Sequence, residues 1–402
     1  MITMNHTQKP SLLQFLLAMI KIGCIGFGGG SALIPVMEQE FIGADDTHKK
    51  LDTKENFDMD ILIASLTPGA LPVELASSLG WRNFGAKGMI LGAVCMAFPG
   101  ACASLLLLTA LAGFRERIGW LMEILTTVVS FFIIWLIIRY IRKVCAQSRA
   151  ISRKFYRRAV LVMIGVFALS CGKYLYRLLG IEGTPPIVLS TFHILAISLT
   201  AIILINVGRG LKKRKGRKHT LVPQAVNESG SISDLMIWVV FLVLFAVPGI
   251  MFARRFDISA YLSFLGRGIV SVLMSFGGGD AYLAVADGLF VEASIVSSEA
   301  FYGDIVAVAN ILPGSILCKS LTAIGYYYGT SMTGSLIGGL AFALGGFGCS
   351  IAVSCLIFGV IYHLYERFSG FQSTQTISHY IGPIICGLLG TVSLALLVPV
   401  FH

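Results

Sequence analysis

KIGCIGFGGGSALIP, residues 21–35, sets three glycines in a row inside an apolar stretch, and LMSFGGGDAYL, residues 273–283, does so again 276 − 27 = 249 positions later. A glycine in a helix interior costs about 1 kcal/mol relative to alanine, so each run is a break in an otherwise helix-forming segment. The two copies stay in step beyond the glycines: at the same offset Glu38 matches Asp287 and Phe41 matches Phe290. A second shared block follows, because NFDMDILIASLTPG (56–69) resembles AFYGDIVAVANILPG (300–314). Phe57 and Asp60 fall on Phe301 and Asp304, and one inserted residue then brings Pro68-Gly69 onto Pro313-Gly314 and Gly80 onto Gly325. Phe98 aligns with Phe347, although Pro99-Gly100 becomes Gly348-Cys349. Two motifs, an acid and their spacing recurring in order mark an internal repeat of the whole unit.

Composition sets the medium. The 402 residues are 56% hydrophobic and 13% charged, against about 25% charged in a soluble domain. Apolar stretches reach the length of about 20 residues that a bilayer crossing needs. The net charge of +10 does not point to nucleic acid, because the basic residues cluster in short loops beside apolar spans. Nine cysteines without a CxxC or Cys/His ligand spacing read as small packing residues rather than a disulfide or metal framework. No cofactor and no metal site is expected, and no cleavable signal peptide is evident in the long first apolar segment with its interior lysine.

About eleven spans follow, near 12–36, 57–80, 86–112, 120–141, 158–180, 186–207, 233–253, 260–289, 300–328, 333–364 and 379–401. The first, eighth and tenth are long enough to contain a break or a re-entrant piece. Basic clusters at Arg139–Arg158 and Arg209–Lys218 place two loops in the cytoplasm. The N-terminus is then inside. The second cluster runs into a polar linker, so the chain divides into a first half (1–208), a cytoplasmic linker (209–232) and a second half (233–402). The two FGGG motifs open spans one and eight. Seven spans is an odd separation, which makes the copies opposed in direction. The expected fold is therefore an all-α polytopic membrane protein of about 10–11 transmembrane helices in two inverted-topology repeats, broken at FGGG and Pro-Gly.

Such breaks suit binding. Glycine permits unusual backbone angles and close ligand approach, and proline removes a donor from the ladder. A helix restarting after a break presents free N–H groups and the positive end of its dipole to an anion. The candidate substrate residues are Phe27, Gly28, Gly29, Gly30, Pro68, Gly69, Phe276, Gly277, Gly278, Gly279, Pro313 and Gly314. A charge inside a span costs about 2.5–3.5 kcal/mol and needs a partner or a use. Lys319, six residues after Pro313, is the candidate anion ligand. Its repeat counterpart is Glu74, since 319 − 245 = 74. The two could pair with each other, or Lys319 could receive an anion while Glu74 handles a proton. Lys21 and Arg267 stand before the two FGGG motifs as further candidate anion partners, and Glu38, Glu74 and Asp287 are candidate coupling acids. Tight helix packing with proline kinks, and ion pairs between helices, remain the structural alternatives. Asp60 and Asp304, near span starts, read as acids serving a helix dipole.

FGGG followed by an acid, an aromatic and Pro-Gly, in two copies within this length, resembles the chromate transporter (CHR) family in its long, two-domain form. The likeness covers most of the chain and is strongest over 15–113 and 264–364. It implies an inner-membrane, multi-pass protein that exports chromate, with sulfate as a structural analogue and halves opposed in topology. The family commonly carries a glutamine shortly before Pro-Gly-Pro; here SLTPGAL and NILPGSI lack both the glutamine and the second proline, which become Ala70 and Ser315. A small inorganic oxyanion and the lipid bilayer are the implied partners, and a homo-oligomer is compatible with the chain. The other readings are a divergent transporter of an unrelated solute, a structural subunit, and a membrane-embedded enzyme acting on a lipid-linked substrate. For the enzyme the sequence offers no HExxH, GxSxG or Walker motif.

Overall fold

The computed structural model describes residues 10–26, 33–42, 51–114, most of 131–176, 232–275, 279–367 and most of 382–394. Every element among them is helical. Helix α1 (Leu12–Ile25) starts at a reciprocal cap: Gln14 N donates to Ser11 Oγ at 3.4 Å and Ser11 N donates to Gln14 Oε1 at 3.2 Å. Such a box satisfies two of the four amides that a helix start leaves open. The helix stops at Gly26, and α2 (Ile34–Ile42) begins beyond the first glycine run. Helix α3 (Lys54–Leu66) ends at Thr67 and α4 (Leu71–Phe114) follows. Later come α5 (Arg153–Ser170), α6 (Met236–Ala253), α7 (Ile258–Leu273) and α8 (Gly279–Ala286). Two π-helical turns, Asp287–Val291 and Ala300–Ile305, lead to α9 (Val306–Ile311). Helices α10 (Ile316–Thr333) and α11 (Leu336–Arg367) complete the order.

The sequence reading places a loop between spans two and three. Instead α4 reverses at Gly85, whose φ of 63° and ψ of −156° turn the chain on itself with scarcely a break in the helix. The second half also reverses at a glycine of positive φ, Gly334 (φ 62°, ψ 16°), between α10 and α11, at the offset 334 − 85 = 249. Both reversals close helical hairpins whose arms nearly touch. A Cβ at Gly80 would lie 2.1 Å from the carbonyl oxygen of Gly88, and one at Gly325 would lie 2.6 Å from that of Phe342. The matched glycines of the repeat are thus where two backbones approach too closely for any side chain. Phe98 and Phe347, matched across the repeat, meet edge to face with ring centres 6.5 Å apart.

Spans one and eight are split at their glycine runs, and spans two and nine are split at Pro-Gly. Span ten is a single unbroken helix, α11, which packs against α10, α6, α7 and α4. The sixth span and linker residues 209–231 lie outside the described residues. Helix α6 and Leu336–Leu364 within α11 are long and apolar enough to cross a membrane, and so is an apolar stretch within Leu71–Leu111 of α4, the run that reverses at Gly85. Their outer faces carry exposed Val240, Leu244, Leu106 and Ile337. Those faces suit hydrocarbon and not water, and the chain is an all-α polytopic membrane protein.

Candidate functional site

The two Pro-Gly breaks lie at the contact between the halves. Pro68 cannot donate into the α3 ladder, and Gly69 takes φ 145°, which side-chain-bearing residues adopt only with strain. Its amide donates to the carbonyl of Ser275 at 2.9 Å. At the other break Gly314 takes φ 97°, and its amide donates to the carbonyl of Gly26 at 2.9 Å. Ser275 and Gly26 are the residues immediately before the two FGGG motifs. They are repeat counterparts, since 275 − 26 = 249, as are Gly69 and Gly314, since 314 − 69 = 245. The two bonds are therefore the same bond made twice, each running from one half to the other. In a bilayer an amide freed by a helix break needs such a partner.

The residues after each break fix the half-helices that restart there. Ala70 N donates to Ser354 Oγ at 3.1 Å, and that hydroxyl donates onward to Ser350 O at 2.7 Å. The start of α4's first arm is thereby tied to α11 of the second half. At the second break Gly314 lies against Gly100 and the carbonyl of Gly23, so α1, α4 and the start of α10 meet at three glycines.

Glu74 and Lys319 occupy matched positions and perform matched tasks with opposite charge. Glu74 is fully buried. Its Oε2 lies 3.0 Å from the hydroxyl of Thr67, the residue that ends α3. Lys319 is 1% exposed, and its Nζ donates to the carbonyl of Leu312, the residue that ends α9. Thr67 and Leu312 are themselves counterparts, since 312 − 67 = 245. Each charged side chain thus reaches back seven residues across its own break. The expected alternative of a Glu74–Lys319 pair is not what the side chains make. The other Glu74 oxygen, Oε1, has no hydrogen-bond partner among the described residues, and neither do the buried hydroxyls of Ser275 and Ser320.

The remaining candidates divide. Asp287 is buried at the start of its π-turn, and Arg267 donates to Leu289 O in that turn at 3.1 Å. Lys21 pairs with Glu40 at 3.3 Å and Glu38 with Lys54 at 2.7 Å, both on accessible surface. Gly279 begins α8. Phe27, Gly28, Gly29, Gly30, Phe276, Gly277 and Gly278 lie outside the described residues. Among the described residues no three His, Cys, Asp or Glu side chains are grouped to hold a metal ion.

One residue escaped the sequence reading. Arg82, placed in the expected loop, is buried by the reversal at Gly85. Its guanidinium forks onto both oxygens of Asp60 and also reaches Asp52 at 2.6 Å and Tyr362 Oη at 3.2 Å. Asp60 lies in the second turn of α3 with no exposure, so its role is this ion pair rather than service to the helix dipole. In the second half the residue at Arg82's matched position is a tyrosine: Tyr327 Oη donates to Asp304 at 2.6 Å, and 327 − 82 = 245. The signal was available as an arginine 22 residues after a span acid. Recognising it required knowing that no loop intervenes.

The family model described as the chromate transporter matches residues 13–205 and 262–401. The chain is 31% identical over 108 residues to the uncharacterized transporter YwrB of Bacillus subtilis (strain 168), a match covering 25% of this chain and 53% of that protein. It is also 31% identical over 117 residues to the chromate transport protein of Cupriavidus metallidurans, covering 29% of this chain and 27% of that protein. The chain therefore spans about half or less of the length of these curated relatives. No solved structure matches it. With its doubled motifs, its breaks at both Pro-Gly pairs and a match over most of its length, the chain belongs to the chromate transporter family.

Proposed function

We propose that the protein is a secondary transporter of the cytoplasmic membrane that exports chromate or a related oxyanion by alternating access. The observation that carries this reading is the pair of reciprocal bonds, Gly69 N to Ser275 O and Gly314 N to Gly26 O. They bring four helix breaks to the contact between the halves, where transporters built from inverted repeats bind substrate. Lys319 is the ammonium at that contact. An arriving oxyanion replaces the Leu312 carbonyl as its partner, a stronger acceptor for a buried cation. The FGGG runs 27–30 and 276–279 remain the proposed source of further backbone amides. Lys21 and Arg267 stand toward the approaches, and Glu38, Glu74 and Asp287 are the acids available for coupling. The halves 1–208 and 233–402 rock about the linker 209–232, with the N-terminus in the cytoplasm and the two halves opposed in topology.

Export is energetically favoured. With the cell interior negative, each charge leaving gains about 2.3 kcal/mol per 100 mV, so a dianion gains roughly 4.6 kcal/mol. The test is flux of labelled chromate in liposomes holding the purified protein under an imposed potential, with sulfate as competitor. Saturable flux that sulfate inhibits is expected. Lys319→Ala should abolish it while leaving the protein in the membrane. Wild-type flux in that variant would remove Lys319 from the site. Absence of flux from a folded sample would move the substrate away from chromate, with the missing glutamine and second proline at Ala70 and Ser315 as the cause.

A further inference from the structure

We infer that the first Pro-Gly break is a proton-binding site centred on Glu74, so that protons are the ions exchanged for the oxyanion; this rests on the transporter reading above.

The argument begins with hydrogen atoms. Thr67 Oγ1 lies 3.2 Å from Ala64 O and 3.0 Å from Glu74 Oε2. A hydroxyl has one proton to give. If Thr67 gives it to Ala64, the contact with Glu74 needs a proton on the carboxyl. If Thr67 gives it to Glu74, an ionised carboxylate would hold a single donor, with Oε1 bare inside the protein. Burying a charge on those terms is far costlier than burying the neutral acid. Both accounts lead to a carboxylic acid in this conformation.

Among the described residues no basic side chain is paired with Glu74. The titratable groups whose electrostatics involve Glu74 are two thiols, Cys318 from α10 and Cys355 from α11. On its own helix and on α3 the polar neighbour is Thr67. Lys319 is turned to Leu312 O. Calcium or magnesium would need about six oxygen ligands, and the open side-chain oxygens at this break among the described residues are Glu74 Oε1 and Ser275 Oγ.

Position supplies the coupling. A Cβ on Gly69 would lie 2.2 Å from Glu74 Oε1, so the free oxygen rests on the glycine whose amide crosses to Ser275. The Ser275 hydroxyl, buried and without a hydrogen-bond partner among the described residues, belongs to the other half. If the halves part at this bond, Glu74 meets water and ionises; when they close, the acid form is the one that fits. The matched position, Lys319, does the equivalent for an anion. The repeat therefore separates the two ions by half.

The test uses the full-length protein in liposomes, with the potential clamped at zero and a pH gradient imposed. The reading is the ratio of labelled chromate flux with and without the gradient. Wild type should give a ratio well above one, and Glu74→Gln should bring it to unity. A gradient response surviving in Glu74→Gln, or flux driven by a sodium gradient and not by protons, would overturn the inference. A second measurement needs no substrate: the infrared difference spectrum of the purified protein between acid and alkaline pH. A protonated-carboxyl band present in wild type and missing in Glu74→Gln supports the site. Spectra that are alike in both overturn it even if chromate proves not to be the cargo. Absent chromate flux with the band intact would count against the substrate and not against the proton site.

Discussion

At the first Pro-Gly break a carboxyl reaches back to a threonine hydroxyl; at the second, an ammonium reaches back to a main-chain carbonyl. The hairpins beyond repeat the pattern of likeness and divergence. Asp60 meets a guanidinium where Asp304 meets a phenol. Backbone relations are kept in all of these places: the breaks, the positive φ angles, the crossing amide bonds and the glycine-to-carbonyl approaches. Side-chain chemistry has been exchanged. The main chain has no freedom here, because every amide at a break needs an acceptor inside the membrane. A side chain has to satisfy only its immediate partner, and either sign of charge can do so.

That contrast can be strained first at the hairpins. Arg82→Ala leaves Asp60 and Asp52 buried without their cation and should cost about 3–5 kcal/mol, seen as loss of folded monodisperse protein or a large fall in melting temperature in detergent. Tyr327→Phe removes one hydrogen bond to an acid and should cost about 1–3 kcal/mol. Equal effects would show that the two halves carry equal loads after all. Combining Arg82→Ala with Asp60→Asn should recover part of the loss.

Alanine at the breaks sharpens the comparison. Gly69→Ala and Gly314→Ala both force a positive φ on a residue with a Cβ, about 1–3 kcal/mol each. The Gly69 change also drives into Glu74 Oε1 and Ser354, at 2.2 and 2.8 Å, whereas Gly314 has its nearest neighbour at 3.3 Å. Thermal unfolding should therefore rank Gly69→Ala clearly below Gly314→Ala. The reverse order would mean that the two breaks are not packed as described. On the surface, Lys21→Ala and Lys54→Ala remove exposed ion pairs, and neither should change the melting temperature measurably.

A small, pH-dependent effect is expected at the cap of α7. Asp257 accepts from Ser259 Oγ at 2.7 Å and from the Ser259 and Ala260 amides at 2.9 and 3.1 Å. These bonds hold its carboxyl below the ordinary range. A carboxyl whose folded value is depressed stabilises the fold above its unfolded value and loses that contribution as pH falls through the folded one. Wild type should lose a little stability on acidification that Asp257→Asn does not.

Proline and glycine announced the repeat and the breaks, because their effects are local and need no knowledge of the fold. The correspondence of Glu74 with Lys319 was legible from the offset alone. Their partners were not. Thr67 and the Leu312 carbonyl become reachable only when a helix stops and restarts, and this depends on how the Gly69 and Gly314 amides are satisfied from the other half. Arg82 was hidden for a similar reason. A polar interval between apolar runs reads as a loop, and a reversal at a single glycine with φ 63° kept that interval helical, with the Arg82 guanidinium turned onto Asp60. Lys21 and Glu38 had the opposite fate: charged residues near a striking motif, they are held by neighbours on the surface.

The crossing bonds also set a condition on how the protein is made. When the first half leaves the ribosome, the amide of Gly69 has no acceptor until Ser275 has been synthesised, 275 − 69 = 206 residues later. At ~5–20 residues per second that delay is about 10–40 s. The carbonyl of Gly26 waits longer still, for Gly314. During biogenesis the first half therefore sits in the insertion machinery with its breaks open, and a chain interrupted before the second half is complete leaves them so. Such a fragment would present unsatisfied backbone to the lipid, a mark by which membrane quality control can tell an unfinished copy from a finished one.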